Sequence, residues 1–183
     1  YDFAAYKKSE TNFVIVATNC KTGKAEYFDK SKTESDLLAK CKASCSLPFV
    51  CKKTLVDGKY YLDGGIADPL PIEKAVFDGY QKNVVVLTRN YGYRKSEKPP
   101  FLPKFVYSEF PKLREALLTR THRYNQKMQK IERLEKSGQI TVIRPKNKLA
   151  INRLESDPDK LRFLYDEGYV LAKDFCERLC AKK

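Results

Sequence analysis

Asp63 is the residue of this chain best placed to do chemistry. It follows the strand-like run at residues 59–62 and precedes Gly64 and Gly65. Two glycines permit a sharp turn with positive φ and leave no side chain beside the carboxylate, which can then project from the end of a strand. In α/β folds ligands bind at such strand ends. A carboxylate so placed acts as a general base toward a hydroxyl lying within about 2.6–3.2 Å. The bare tripeptide reads more readily as a structural turn cap, so its context has to decide.

The hydroxyl is the difficulty. A serine nucleophile on an α/β sheet sits in Gly-x-Ser-x-Gly, whose glycines relieve a strained strand-to-helix turn. No serine here has glycine two residues away on both sides; Ser44 and Ser46 come nearest to the motif in sequence and lack those glycines. The single histidine, His122, stands beside Arg123 in a helical pattern and reads as solvent-facing. Cys41-x3-Cys45-x5-Cys51 and Cys176-x3-Cys180, with Cys20 apart, lack the short Cys-x2-Cys pairs and the histidines of a zinc site. Free, structural thiols are expected, buried as free cysteines usually are, with no metal. The absence of an apolar leader makes the reducing cytoplasm the expected compartment.

The elements that must position Asp63 are readable from periodicity. Residues 13–18 form a short β-branched run of the kind buried on both faces of a sheet. The turn at Lys21, Thr22 and Gly23 lets residues 25–28 pair back antiparallel. Ser35 is the expected N-cap of a helix over residues 36–43, with Leu37, Leu38 and Cys41 facing the core, and Pro48 prevents its continuation. Residues 54–56 and 59–62 flank Asp57-Gly58, a two-residue hairpin turn. A helix over 72–77 leads to a fully apolar strand at 83–88, so strand, helix and strand alternate as in α/β layering. Residues 90–103 read as a loop. Leu113, Leu117, Tyr124, Met128, Ile131 and Leu134 recur at helical spacing through residues 108–137, which Gly138 ends. A short strand at 139–143 follows. Asp157-Pro158 opens a final amphipathic helix through Leu161, Leu164, Tyr165, Tyr169 or Val170, Phe175 and Leu179.

Taken in order, Ala43-Ser44-Cys45-Ser46-Leu47-Pro48-Phe49-Val50, a hairpin, and Tyr61-Leu62-Asp63-Gly64-Gly65-Ile66-Ala67-Asp68-Pro69-Leu70-Pro71 resemble the second half of the patatin-like phospholipase domain. The strand and turn at 13–23 are similar to the segment that precedes it in bacterial members, and His122-Arg123-Tyr124-Asn125, Ile143-Arg144-Pro145 and the last helix look like their C-terminal extension. The resemblance implies a three-layer α/β sheet, of which residues 1–95 are the later part, with residues 96–183 as a helical C-terminal extension packed on it. It also implies acyl-ester hydrolysis, directed at lipid, by a Ser-Asp dyad without cofactor. Only the aspartate carries over, as Asp63, with Gly64 and Gly65 as its turn. The nucleophile elbow and the glycine-rich oxyanion loop are expected before Tyr1, so this polypeptide alone is expected to be inert.

Composition is compatible with one soluble domain: 183 residues of 21.2 kDa, 42% hydrophobic and 32% charged. The chain starts without Met and enters its first pattern almost at once, which reads as a fragment. A fragment leaves an exposed sheet edge or apolar patch, to be covered by the missing N-terminal segment or a second copy of the chain. The net charge of +13 implies attraction to something anionic. Lys112, Arg114, Arg120, Arg123, Lys127, Lys130, Arg133 and Lys136 crowd the long helix; the reading is a solvated face, with an anionic membrane surface as candidate partner. Nucleic acid is not expected, because the cations are interleaved with acids and no recognition motif is present.

Overall fold

A computed structural model describes residues 2–30, 36–98, 101–149 and 155–181. The architecture is mixed α/β, with two sheets and a helical C-terminal region, as the sequence leads one to expect. The chain divides into two compact units that interleave along the sequence: Tyr1–Pro71 with Lys95–Lys127, and Ile72–Arg94 with Met128–Lys183.

The first unit opens with α1 (Phe3–Lys8), an element the sequence reading did not foresee although Asp2 caps it by accepting from the Ala5 amide. Strands β1 (Val14–Asn19), β2 (Ala25–Asp29), β3 (Thr54–Val56) and β4 (Lys59–Asp63) form an antiparallel sheet in the order β2-β1-β4-β3. Asp57 and Gly58 join β3 to β4 with φ of +48° and +74°, the backbone that the Asp-Gly pair favours in a two-residue hairpin. Helix α2 (Leu37–Ser44) starts at Asp36, whose side chain accepts from the Leu38 and Ala39 amides. Ser35, the expected cap, lies outside the described residues. Leu38, expected in the core, is exposed.

Side chains alternate across a strand with period two, and the core follows that rule. Ile15, Ala17 and Tyr61 pack with Phe28, Ala43 and Val56 on the face toward α2. Leu62, with Cys20 and Ile66, packs on the opposite face against Leu113, Ala116 and Leu117 of α4 (Pro111–Lys136). Burying both faces of β1 and β4 at this point explains why residues 13–18 lack a polar side in the sequence, although Val14 and Val16 stay half-exposed.

The second unit contains α3 (Ile72–Phe77), β5 (Asn83–Val86), β6 (Ile140–Ile143) and α5 (Pro158–Cys180). Strands β5 and β6 pair in parallel. Val84 and Val86 of this apolar strand are exposed, because the second sheet has only these two strands among the described residues. Helix α5 starts where expected, with Asp157 as N-cap and Pro158 in its first turn, yet none of its described residues is buried. Its apolar periodicity is real and its apolar side is open. No helix among the described residues is long and apolar enough to cross a membrane.

Candidate functional site

Asp63 is the last residue of β4, as its position before two glycines suggested. It pairs with Ala17, so its side chain lies on the sheet face that turns toward α2. The amide of Asp63 donates to the Ser46 carbonyl at 2.9 Å, and Oδ1 accepts from the Gly65 amide at 2.6 Å. The carboxylate thereby caps a single 3-10 turn over Gly64–Ile66. No other hydrogen bond to this half-buried carboxylate occurs among the described residues, so Oδ2 is available to a hydroxyl.

The reason for the glycines differs from the one inferred from sequence. Neither adopts positive φ. A Cβ at Gly64 would stand 2.3 Å from the Val16 carbonyl oxygen, so the turn can lie against β1 only without one. A Cβ at Gly65 would come within 3.0 Å of Asp63 Oδ1 and crowd the cap. Close approach, not handedness, fixes both positions.

Around the turn stand groups that hold it. Thr18, fully buried, donates from Oγ1 to the Asp63 carbonyl at 2.8 Å and accepts from the Ala67 amide at 3.2 Å. Arg123 of α4 donates from Nη1 to the Ile66 carbonyl at 2.6 Å. Asp68 is buried, accepts from the Tyr27 hydroxyl at 2.6 Å, and has the Lys127 ammonium 3.0 Å from its Oδ1. Arg123 and Lys127, expected on a solvated basic face, reach inward. Arg114 likewise caps the carbonyls of Leu102, Pro103 and Val106. Lys130 pairs with Glu73 in the second unit. Much of the helix's positive charge is therefore engaged within the protein.

An open cleft of about 380 Å³ lies beside the turn, lined among others by Val16, Cys41, Ser44, Cys45, Gly64 and Gly65. Ser44 is thus brought to the cleft but makes no hydrogen bond with Asp63. Ser46 is buried, with its hydroxyl donating to the Lys42 carbonyl at 2.7 Å and lying 2.9 Å from Thr54 Oγ1, which commits it to structure. His122 is exposed, with Nε2 2.9 Å from Gln126 Nε2. All six cysteines are free, but only Cys20 is buried; Cys45, Cys51, Cys176 and Cys180 are exposed, against the expectation of buried thiols. Burial pushes the Cys20 thiol up to about 11. Among the described residues no cluster of three or more His, Cys, Asp or Glu side chains could hold a metal.

A half-buried carboxylate thus stands on a glycine turn at the end of a sheet strand, beside an open cleft and with helices on both faces of the sheet. Residues 4–76 match the family model described as Patatin-like phospholipase, and residues 110–181 match a domain of unknown function, DUF6363. Residues 4–76 are thus similar to the patatin-like phospholipases, a family of lipid hydrolases.

Proposed function

We propose that this chain supplies the general base of a Ser-Asp acyl hydrolase, with Asp63 as that base. The observation that carries the reading is the Asp63-Gly64-Gly65 turn, in which one carboxylate oxygen accepts no hydrogen bond among the described residues and the two glycines line an open cleft. In the reaction Asp63 takes the proton of a serine hydroxyl as its oxygen attacks the ester carbonyl. The leaving alcohol receives a proton as the acyl-serine forms. Asp63 then deprotonates water, which attacks the acyl-serine and releases the carboxylic acid. No metal or cofactor enters these steps. The substrate class that fits is a lipid acyl ester.

None of the serines in this sequence stands in Gly-x-Ser-x-Gly, so the nucleophile and the oxyanion donors come from a segment of the same protein outside these 183 residues, and the chain alone is inert. A second reading, in which the turn is purely structural and the protein acts by binding an anionic surface or partner, draws on the Oδ1 contact to the Gly65 amide. Asp63→Asn separates the two, because the amide oxygen keeps the cap while losing the basicity. With a p-nitrophenyl ester and the full open reading frame, the dyad predicts loss of hydrolysis in Asp63→Asn with an unchanged melting temperature. Retained hydrolysis in that variant contradicts it.

A further inference from the structure

The two family matches meet the chain at residues 4–76 and 110–181, yet packing does not respect that gap. Leu113, Ala116 and Leu117, inside the domain of unknown function, form one buried cluster with Cys20, Leu62 and Ile66 of the patatin-like segment. Gly23 lies so close to the start of α4 that a Cβ there would stand 2.3 Å from the Lys112 carbonyl oxygen. About three and four turns further along the same helix are Arg123 and Lys127, whose cationic ends reach the Ile66 carbonyl and Asp68. Thr119, one turn before Arg123, accepts from its Nη2 at 2.9 Å and so helps to aim the guanidinium. All these residues belong to the first compact unit.

We propose that the first half of α4 is the clamp of the Asp63-Gly64-Gly65 turn, with Arg123 as its principal positioning residue, which gives the domain of unknown function a role in the hydrolase site. The proposal rests on the reading of Asp63 as the base. Its geometry is one-sided. Thr18 and Leu62 share a sheet face with α4, as shown by their register and by Leu62 packing on Leu113 and Leu117, whereas the Asp63 side chain belongs to the opposite face. Arg123 and Thr18 therefore fix the turn's backbone from behind, and the carboxylate is left on the other face of the sheet. A guanidinium suits the task because it donates to the Ile66 carbonyl and to Thr119 at once, in a planar fork that lysine cannot reproduce. Lys127 and Tyr27 hold Asp68, which closes the same loop through its amide on the Gly64 carbonyl at 2.9 Å.

The test uses the full open reading frame, with ester hydrolysis and amide hydrogen exchange measured on the same variants. Arg123→Ala is expected to raise exchange at residues 64–68 by about tenfold or more, the worth of a lost charge-assisted hydrogen bond. It should lower kcat by roughly 10²-fold through misplacement of the base, with KM changed little. Added guanidinium ion should restore part of kcat, and Arg123→Lys should fall between the two. If Arg123→Ala does not fold, Arg123→Lys carries both measurements. Unchanged exchange at 64–68 overturns the clamp. Raised exchange with undiminished kcat overturns the positioning role. Asp63→Asn run in parallel keeps the two ideas apart: full activity in that variant removes the base assignment, while the exchange data still report on the clamp.

Discussion

The first and second units differ in how much of their apolar surface is covered. In the first, Ala17, Leu62, Leu113 and Leu117 are almost wholly buried, and both faces of the central strands are covered. In the second, Met128 and Ile131 are fully buried, but Val84 and Val86 face outward, no described residue of α5 is buried, and ion pairs tie Arg94 to Glu132 and Arg144 to Glu135. Two parallel strands are a small piece of sheet, since parallel sheets ordinarily have both faces covered. The contrast shows what an apolar pattern does and does not specify. It fixes which element forms and which side of it is apolar; whether that side is covered depends on what lies against it.

Removing a core side chain should separate the units most. Leu117→Ala is expected to cost about 2–5 kcal/mol, whereas Leu161→Ala on α5 should stay within about 0.5 kcal/mol, both by urea titration. Equal costs would break the comparison. Cys20 gives the next largest effect. Its thiol is raised by burial from 9.0 to about 11 in the folded protein. The unfolded chain therefore releases this proton first as pH rises, so the contribution is intact below about pH 9 and is lost as pH climbs through 11, up to about 3 kcal/mol. Cys20→Ala should flatten that alkaline decline, and a thiol reagent should label Cys45, Cys51, Cys176 and Cys180 well before Cys20.

Gly64→Ala comes third, at about 1–3 kcal/mol, because the new methyl must push the turn away from β1. The smallest effect belongs to the ion pairs of the second unit. The Arg94 hydrogen bond holds the Glu132 carboxyl below its ordinary value. Its contribution is present above the ordinary carboxylate range and is lost as pH falls through the depressed value. Exchange protection in the second unit, taken relative to the intrinsic amide rate at each pH, should therefore fall on acidification before that of the first, and Arg94→Ala should change it by about 1 kcal/mol or less.

Local signals were legible in proportion to how local their causes are. The Asp57-Gly58 hairpin, the Asp157-Pro158 helix start and the periodicity from Leu113 to Ile131 are all set by neighbours within a few residues, and each appears as expected. Asp63 at the end of its strand was legible too. The work of Gly64 was not, since its cause is the Val16 carbonyl on another strand. Arg123 and Lys127 read as solvated because charge patterning cannot register a backbone carbonyl or a buried Asp68 within reach of a long side chain. The exposure of Val84 and Val86 was invisible for the complementary reason: a covered strand and an uncovered one carry the same residues.

The most direct test of the central claim, that this chain carries the base but not the nucleophile, is reaction of the full open reading frame with a serine-directed fluorophosphonate, with the adduct located by peptide mass. The account predicts an adduct on a serine outside these 183 residues, and slower labelling in Asp63→Asn. An adduct on Ser44, or on any other serine of this chain, would contradict it.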